Sequence, residues 1–291
     1  ASILGVLSYS YSGWSGTDAY RIHPVEMPTI THTNPRPPEP PDVGGTLRVA
    51  SFNVLNYFTT LDTGALICGP NEDMGCRGAN SASEFERQRA KIINAITAMN
   101  ADIVGLIEIE NHPADEALID IVTGLNDVVG AGTYAYVNTG VIGTDAIKQA
   151  FIYQPANVTP AGDYAILDSS VDPTFLDTKN RPALAQSFED PVTGEVFTVV
   201  VNHLKSKGSA CTDVGDPDLG DGQGNCNGVR TAAAQAIVTW LAGDPTGAGS
   251  DHYLIIGDLN AYAKEDPIVA LEDGGYTCLL YTSPSPRDRT R

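Results

Sequence analysis

The chain has 291 residues, enough for one large domain and part of another. Its 36 acidic against 17 basic side chains give a net charge of −19. That argues against a broad basic face for nucleic acid, though bound divalent cations could offset it locally. No apolar run reaches membrane-spanning length, and 42% hydrophobic with 18% charged residues is ordinary for a globular protein.

The chain opens at Ala1 with neither an initiator Met nor a signal peptide, and reads as a processed or excised piece. Residues 1–32 hold short Tyr/Val/Ile-rich stretches with Gly-Trp-Ser-Gly turn chemistry. They predict a hairpin or two, the end of a preceding β-rich domain. Pro35, Pro37, Pro38, Pro40 and Pro41 make 33–46 a stiff, extended linker.

The main domain spans 47–277. It opens with a strand, Leu47 to Val54, ending near Asn53. Cys68 and Cys76 bracket a short Gly/Asn-rich loop, and Cys211 and Cys226 bracket another. Two local pairs closing irregular loops suggest disulfides and an oxidising compartment; zinc is the alternative, but neither pair has Cys-x-x-Cys spacing. Ser83 and Glu86 read as a capping box for a helix carrying Phe85, Ile92, Ile96 and Met99 at helical spacing. Ile103 to Ile107 is a buried strand ending in Glu108 and Glu110. A Pro113-initiated helix follows, with Leu118, Ile121, Val122, Leu125 and Val129 on one face and Gly130 as its stop. Strand-like runs recur at 134–138, 146–153, 183–188 and 195–204, and a helix spans about Arg230 to Leu241. The run Tyr253-Leu254-Ile255-Ile256-Gly257-Asp258 reads as a strand buried on both faces. Asp258 and Asn260 stand at its carboxyl end, where α/β sheets bind ligands. Long strands with few helices predict a sheet-rich α/β domain.

Strand ends thus offer Asn53, Glu108, His203, Asp258 and Asn260. Acidic and amide oxygens on one rim are what a hard cation such as Mg²⁺ requires. His203 stands beside Lys205 and Lys207 in a lysine-poor chain and reads as part of an anion site; Arg181 could bind a phosphate oxygen. Asp213, Asp216, Asp218 and Asp221, with Asn225, fill the second cysteine loop and suggest a structural Ca²⁺.

Four runs together resemble the endonuclease/exonuclease/phosphatase superfamily, the metal-dependent fold of DNase I. They are Ser51-Phe52-Asn53-Val54, Gly105-Leu106-Ile107-Glu108-Ile109-Glu110, Asn202-His203-Leu204 and Gly257-Asp258-Leu259-Asn260. The Asn-Tyr-Phe after Leu55, the Gly143-Thr144-Asp145-Ala146-Ile147-Lys148 run and the second cysteine loop resemble secreted bacterial nucleases of the ExeM type. The resemblance implies a four-layer α/β sandwich of two packed sheets flanked by helices. It also implies Mg²⁺ or Mn²⁺ held by Glu108 with Asn53, Asp258 activating water, and Asn260 steadying the phosphate. His203 would contact the phosphate or assist the leaving oxygen, with Arg181, Lys148 and Lys205 neutralising its charge. The expected protein is an extracellular or periplasmic monomer cleaving DNA without sequence preference, with RNA left open as a further substrate. A phosphomonoesterase or sphingomyelinase-like phospholipase of the same fold, or a noncatalytic Ca²⁺-binding module, remains open.

The family closes on a Ser-Asp-His after a final strand, and nothing after position 277 supplies one. Ser250-Asp251-His252 has those letters but precedes the Asp258 strand. The domain therefore reads as incomplete at its carboxyl end, with 278–291 a Ser/Pro-rich, basic, non-native tail leaving Cys278 unpaired. A chain so truncated is expected to be poorly stable and nearly inactive.

Overall fold

The computed structural model describes residues 3–11, 18–27 and 45–279. The expected linker and tail lie largely outside these residues. The chain divides into two compact units, Ala1–Gly45 and Thr46–Arg291. In the first, β1 (Gly5–Tyr11) and β2 (Asp18–Pro24) pair antiparallel as the expected hairpin, with Tyr9 opposite Tyr20.

The second unit runs β3 (Val49–Tyr57), β4 (Leu66–Cys68), β5 (Met74–Gly75), α1 (Ala82–Met99), β6 (Ile103–Glu110) and α2 (Glu116–Val129). It continues through β7 (Ala135–Tyr136), β8 (Ile147–Tyr153), β9 (Thr159–Leu167), β10 (Arg181–Glu189) and β11 (Val196–His203). A short 3-10 turn at Thr212–Val214, α3 (Asn227–Leu241), β12 (Tyr253–Asp258) and α4 (Asp266–Asp273) complete it. One mixed sheet has the order β3-β6-β8-β7 and the other β12-β11-β10-β9. The strands β3 and β6 are parallel, as are β11 and β12.

Three apolar layers separate four structural ones. Ile92, Ile93 and Ile96 of α1 and Leu118, Ile121 and Leu125 of α2 pack on Val104, Leu106 and Ile109 of the first sheet. Ile103, Ile107 and Phe151 of that sheet meet Leu184, Phe188, Val199 and Val201 of the second. Ala233, Ala236, Ile237 and Leu241 of α3 cover the far face with Leu167, Ala183, Ala185 and Val200. Each such Ile, Leu, Val or Phe side chain contributes about 1.5–3 kcal/mol on burial, and strands covered on both faces read as continuous apolar runs. The result is the expected four-layer α/β sandwich.

Several local expectations shift. The cap of α1 is Ser81, in extended backbone, with Glu84 reaching back to the N–H of Asn80 at 3.1 Å. The expected pair Ser83 and Glu86 lies two residues too late. The α2 helix begins after Asp115, because Pro113 is taken up in a turn closed by Asp115 N–H on His112 O. The strand β9 was not expected: Thr-Pro-Ala-Gly-Asp is a poor strand sequence, tolerated at the sheet edge. Every residue of β12 is half-buried rather than buried, because among the described residues its one strand neighbour is β11. Both expected disulfides form, Cys68–Cys76 and Cys211–Cys226, with Cα atoms 5.1 and 5.4 Å apart. Cys278 is free. No helix among the described residues is long and apolar enough to cross a membrane.

Two glycines set how closely the strands approach. A Cβ on Gly105 of β6 would lie 2.6 Å from Ile256 Cδ1 and 3.1 Å from Val201 Cγ2, so glycine here lets the sheets touch. Gly257 has φ +118°, and a Cβ there would meet the carbonyl oxygen of Asn202 at 2.1 Å. Gly257→Ala is therefore expected to cost at least about 2 kcal/mol, combining backbone strain with overlap against backbone. Gly105→Ala should cost about 1–3 kcal/mol, since the flexible end of Ile256 can move. Urea midpoints for both variants check this; a Gly257→Ala midpoint equal to wild type would contradict the backbone argument.

Candidate active site

The sheet topology gathers the strand ends on one rim. Arg181 of β10 is the register partner of His203 of β11, and His203 is the partner of Asp258 of β12. These three residues form a row across the second sheet. From the first sheet, Glu108 of β6 reaches over the packed layer, its Oε1 3.9 Å from His203 Nε2.

Glu108 is aimed by a bulge. It is skipped in the pairing of β6 with β8, where Ile107 faces Gln149 and Ile109 faces Lys148, and its φ is +68°. Such bulges re-aim a side chain at a sheet rim, and a non-glycine residue in left-handed backbone stores strain. The end of β3 answers it. Leu55 and Asn56 also have positive φ, at 56° and 54°. This turn puts Asn56 N–H on Glu108 Oε2 at 3.0 Å, while Asn53 Nδ2 donates to Oε1 at 3.0 Å. Leu55 N–H in turn holds Asn53 Oδ1 at 2.8 Å.

The donor set can be tested against a metal. Asn53 turns its amide nitrogen toward Glu108 and so orients the carboxylate. Among the described residues no three His, Cys, Asp or Glu side chains converge as a metal cage. What remains is one hard, half-buried carboxylate. That fits a cation that keeps most of its water and completes its shell from a phosphate, as Mg²⁺ does.

His203 is almost fully buried. Burial first, and then the Arg181 charge, hold its imidazole below the ordinary value, while Asp258, Glu108 and Asp145 pull the other way. The neutral ring is favoured. Asp258 is fixed by the turn that follows it: Asn260 N–H donates to Asp258 Oδ1 at 3.0 Å, and Asn260 Nδ2 to Leu204 O at 2.9 Å. Asn260 thus positions Asp258, and its amide nitrogen is braced against Leu204 O.

Cations surround one carboxylate that sequence reading left unassigned. Asp145 lies between Arg181 Nε at 2.8 Å and Arg77 Nη2 at 2.6 Å. Lys205 stands nearby, its N–H held by Asn180 Oδ1. Burial first, then Arg181, Lys179 and Arg77, lower its ammonium below the ordinary value. Arg77, Lys179 and Arg181 are thus close enough to act on Lys205, although Lys179 itself pairs with Asp213.

Other expected residues stand elsewhere. Lys148 is buried, bonded to Asp115 and to Gly140 O, and so is closed to a substrate phosphate. A lysine is buried only when paired, and its partner lies 33 residues away in sequence. Glu110 is buried too, accepting from the N–H groups of Thr59 and Thr60. Lys207 is spent on Glu265 Oε1 at 2.5 Å and on the Tyr262 ring. In the acidic loop Asp213 pairs with Lys179, Asp216 accepts from Val229 N–H, and Asp218 and Asp221 accept from Gly220 and Gln223 N–H. His252 lies at the opposite end of β12 from Asp258, its carbonyl bonded to Thr198 N–H.

Burial raises the Asp145 carboxyl, but Arg181 and Arg77 outweigh it and hold the group below its ordinary 3.8. A carboxylate with a depressed folded value stabilises the fold above its unfolded value, and that stability is lost as pH falls through the folded one. Between about pH 5 and 2, wild type should lose more stability than Asp145→Asn. Urea midpoints across that range measure it, and parallel acid profiles would contradict the ion pairs.

Comparison with curated proteins gives no match. Among solved structures, an endonuclease/exonuclease/phosphatase family protein from Bacteroides thetaiotaomicron aligns at TM-score 0.52 and 17% identity, covering 79% of this chain and 67% of its own. A mannosyl-6-phosphatase from the same organism aligns at 0.49 and 16%, covering 79% and 71%. The human Nocturnin catalytic domain aligns at 0.46 and 17%, covering 76% of this chain and 66% of its own. The chain therefore spans about two thirds of the length of the structures it resembles. The profile of the Endonuclease/Exonuclease/phosphatase family matches residues 50–291, and the chain belongs to that family of hydrolytic phosphoesterases.

Proposed function

We propose that this protein is a divalent-metal-dependent nuclease that hydrolyses phosphodiester bonds of DNA, with RNA as a second substrate, outside the cytoplasm. One observation carries the reading: Glu108, oriented by Asn53 and Asn56, faces His203 beside the cations around Asp145. A carboxylate, an imidazole and several guanidinium and ammonium groups on one rim suit a phosphate that gains charge during displacement. The two disulfides support an oxidising compartment.

Glu108 would hold Mg²⁺ or Mn²⁺, which when bound polarises a phosphoryl oxygen and offsets developing negative charge. Arg181, kept in place by Asp145, takes the charge of a non-bridging phosphate oxygen, and Lys205 adds a second cation on the same side. Asp258, its Oδ1 fixed by Asn260 N–H, orients the attacking water and accepts a proton from it. The neutral His203 bonds the phosphate or the departing oxygen through Nε2. None of these roles needs Lys148, Lys207 or a bound Ca²⁺.

Glu108→Gln should keep the fold and lower phosphodiester turnover by about 10²-fold or more, the scale of losing one preorganised charge stabiliser. Asn53→Ala, which frees the carboxylate without removing it, should cost about 10–100-fold. Plasmid nicking and bis(4-nitrophenyl) phosphate hydrolysis, with Mg²⁺ and with EDTA, beside a phosphomonoester substrate, measure both. Turnover by Glu108→Gln equal to wild type, or EDTA-insensitive cleavage, would reject the assignment. Preference for the monoester would replace the nuclease by a phosphatase.

A further inference from the structure

An open pocket of about 560 Å³ lies against the first half of α1, separate from the row of Arg181, His203 and Asp258. It is lined by Asn53 and Asn56, the two residues that hold Glu108, and by Arg77, which holds Asp145. The pocket therefore adjoins the site through shared residues. Its outer wall carries Arg87 and Lys91, one helical turn apart and exposed. Neither side chain has a hydrogen bond or ion pair among the described residues. The acidic lining residue, Glu84, is occupied by the N–H of Asn80. Phe52, Val54, Leu55 and Ile92 give the pocket an apolar part, and Leu55 is 74% exposed.

Gln88 braces the wall of the pocket. Its Nε2 donates to Leu55 O at 2.9 Å and reaches Val54 O and Asn56 O at 3.3 and 3.4 Å. The amide ties the left-handed turn of β3 to α1. The same turn orients Glu108 on one side and leaves the cations of α1 open on the other.

We infer that this pocket binds the nucleotide next to the scissile phosphate, Arg87 and Lys91 taking its phosphate and the apolar residues its sugar and base. Unpaired cations beside apolar surface match the two halves of a nucleotide: a phosphate needs charge, and a sugar and base need dry contact. An acidic peptide would use the cations and leave the apolar part unfilled. The inference rests on the nuclease reading and sharpens it, because a pocket for a flanking nucleotide selects a polynucleotide over a small phosphate ester.

The test uses Arg87→Gln/Lys91→Gln, at exposed helical positions. Binding of a labelled 12-nucleotide single strand is followed by fluorescence anisotropy in EDTA across a salt series, with Glu108→Gln as the common background so that no cleavage intervenes. Removing two phosphate contacts should weaken binding at least tenfold and lower the magnitude of the salt slope by about 1.4. In the catalytic background, the ratio of kcat/KM for the strand to that for bis(4-nitrophenyl) phosphate should fall at least tenfold. Equal affinity and slope overturn the inference, as does an unchanged ratio, or poly-glutamate competing as well as the unlabelled strand. A chain that binds the strand through these residues but hydrolyses no diester would instead reject the nuclease reading and keep the pocket.

Discussion

The contact on which the rest depends is the approach of β6 to β11 and β12 across the two sheets. Gly105 presents no side chain to Ile256 and Val201, so the sheets close to a distance that a larger residue would forbid. Glu108, three residues along β6, then comes within 3.9 Å of His203 from the other sheet. Neither sheet holds a complete site. The first supplies the carboxylate and its amide supports, the second the imidazole, Asp258 and Arg181. The packing that makes the core also assembles the chemistry.

Strain at the rim serves the same end. Glu108, Leu55, Asn56 and Asn260 all adopt positive φ, and each lies at the carboxyl end of a strand. Left-handed backbone at non-glycine residues costs of order 1–3 kcal/mol each, and persists where the surrounding structure enforces it. Here the enforcement is visible: Gln88 against the turn of β3, Asn53 and Asn56 against Glu108, Asn260 against Leu204. The apolar layers beneath supply the stability that this rim spends.

Much of this was legible in the sequence, and the reason is local. Strands covered on both faces, such as Ile103 to Glu110 and Val196 to His203, carry their burial in an unbroken apolar run, and polar residues at their ends mark the rim. What stayed hidden depends on pairing at a distance. Asp145 carries no signal until Arg77 and Arg181 are beside it, and Lys148 looks like a phosphate ligand until Asp115 is found against it. The acidic loop's pairings were hidden likewise, each carboxylate taking a neighbouring N–H or Lys179. The edge strand β9 escaped because an edge tolerates Pro and Gly that an interior strand rejects.

The charge balance separates what acts at long range from what acts in contact. At −19 the chain repels a polyanion over the distances where only net charge is felt. At physiological salt that repulsion fades beyond about 8 Å, so within the rim a substrate would meet local charges instead. There Arg77 and Arg181 flank a single carboxylate with Lys205 nearby, and Arg87 and Lys91 line the pocket along α1. A protein built this way gains little from electrostatic steering and relies on short-range contacts formed after encounter. The basic residues that matter are the few on this rim, and Asp145 keeps two of them, Arg77 and Arg181, from repelling each other apart.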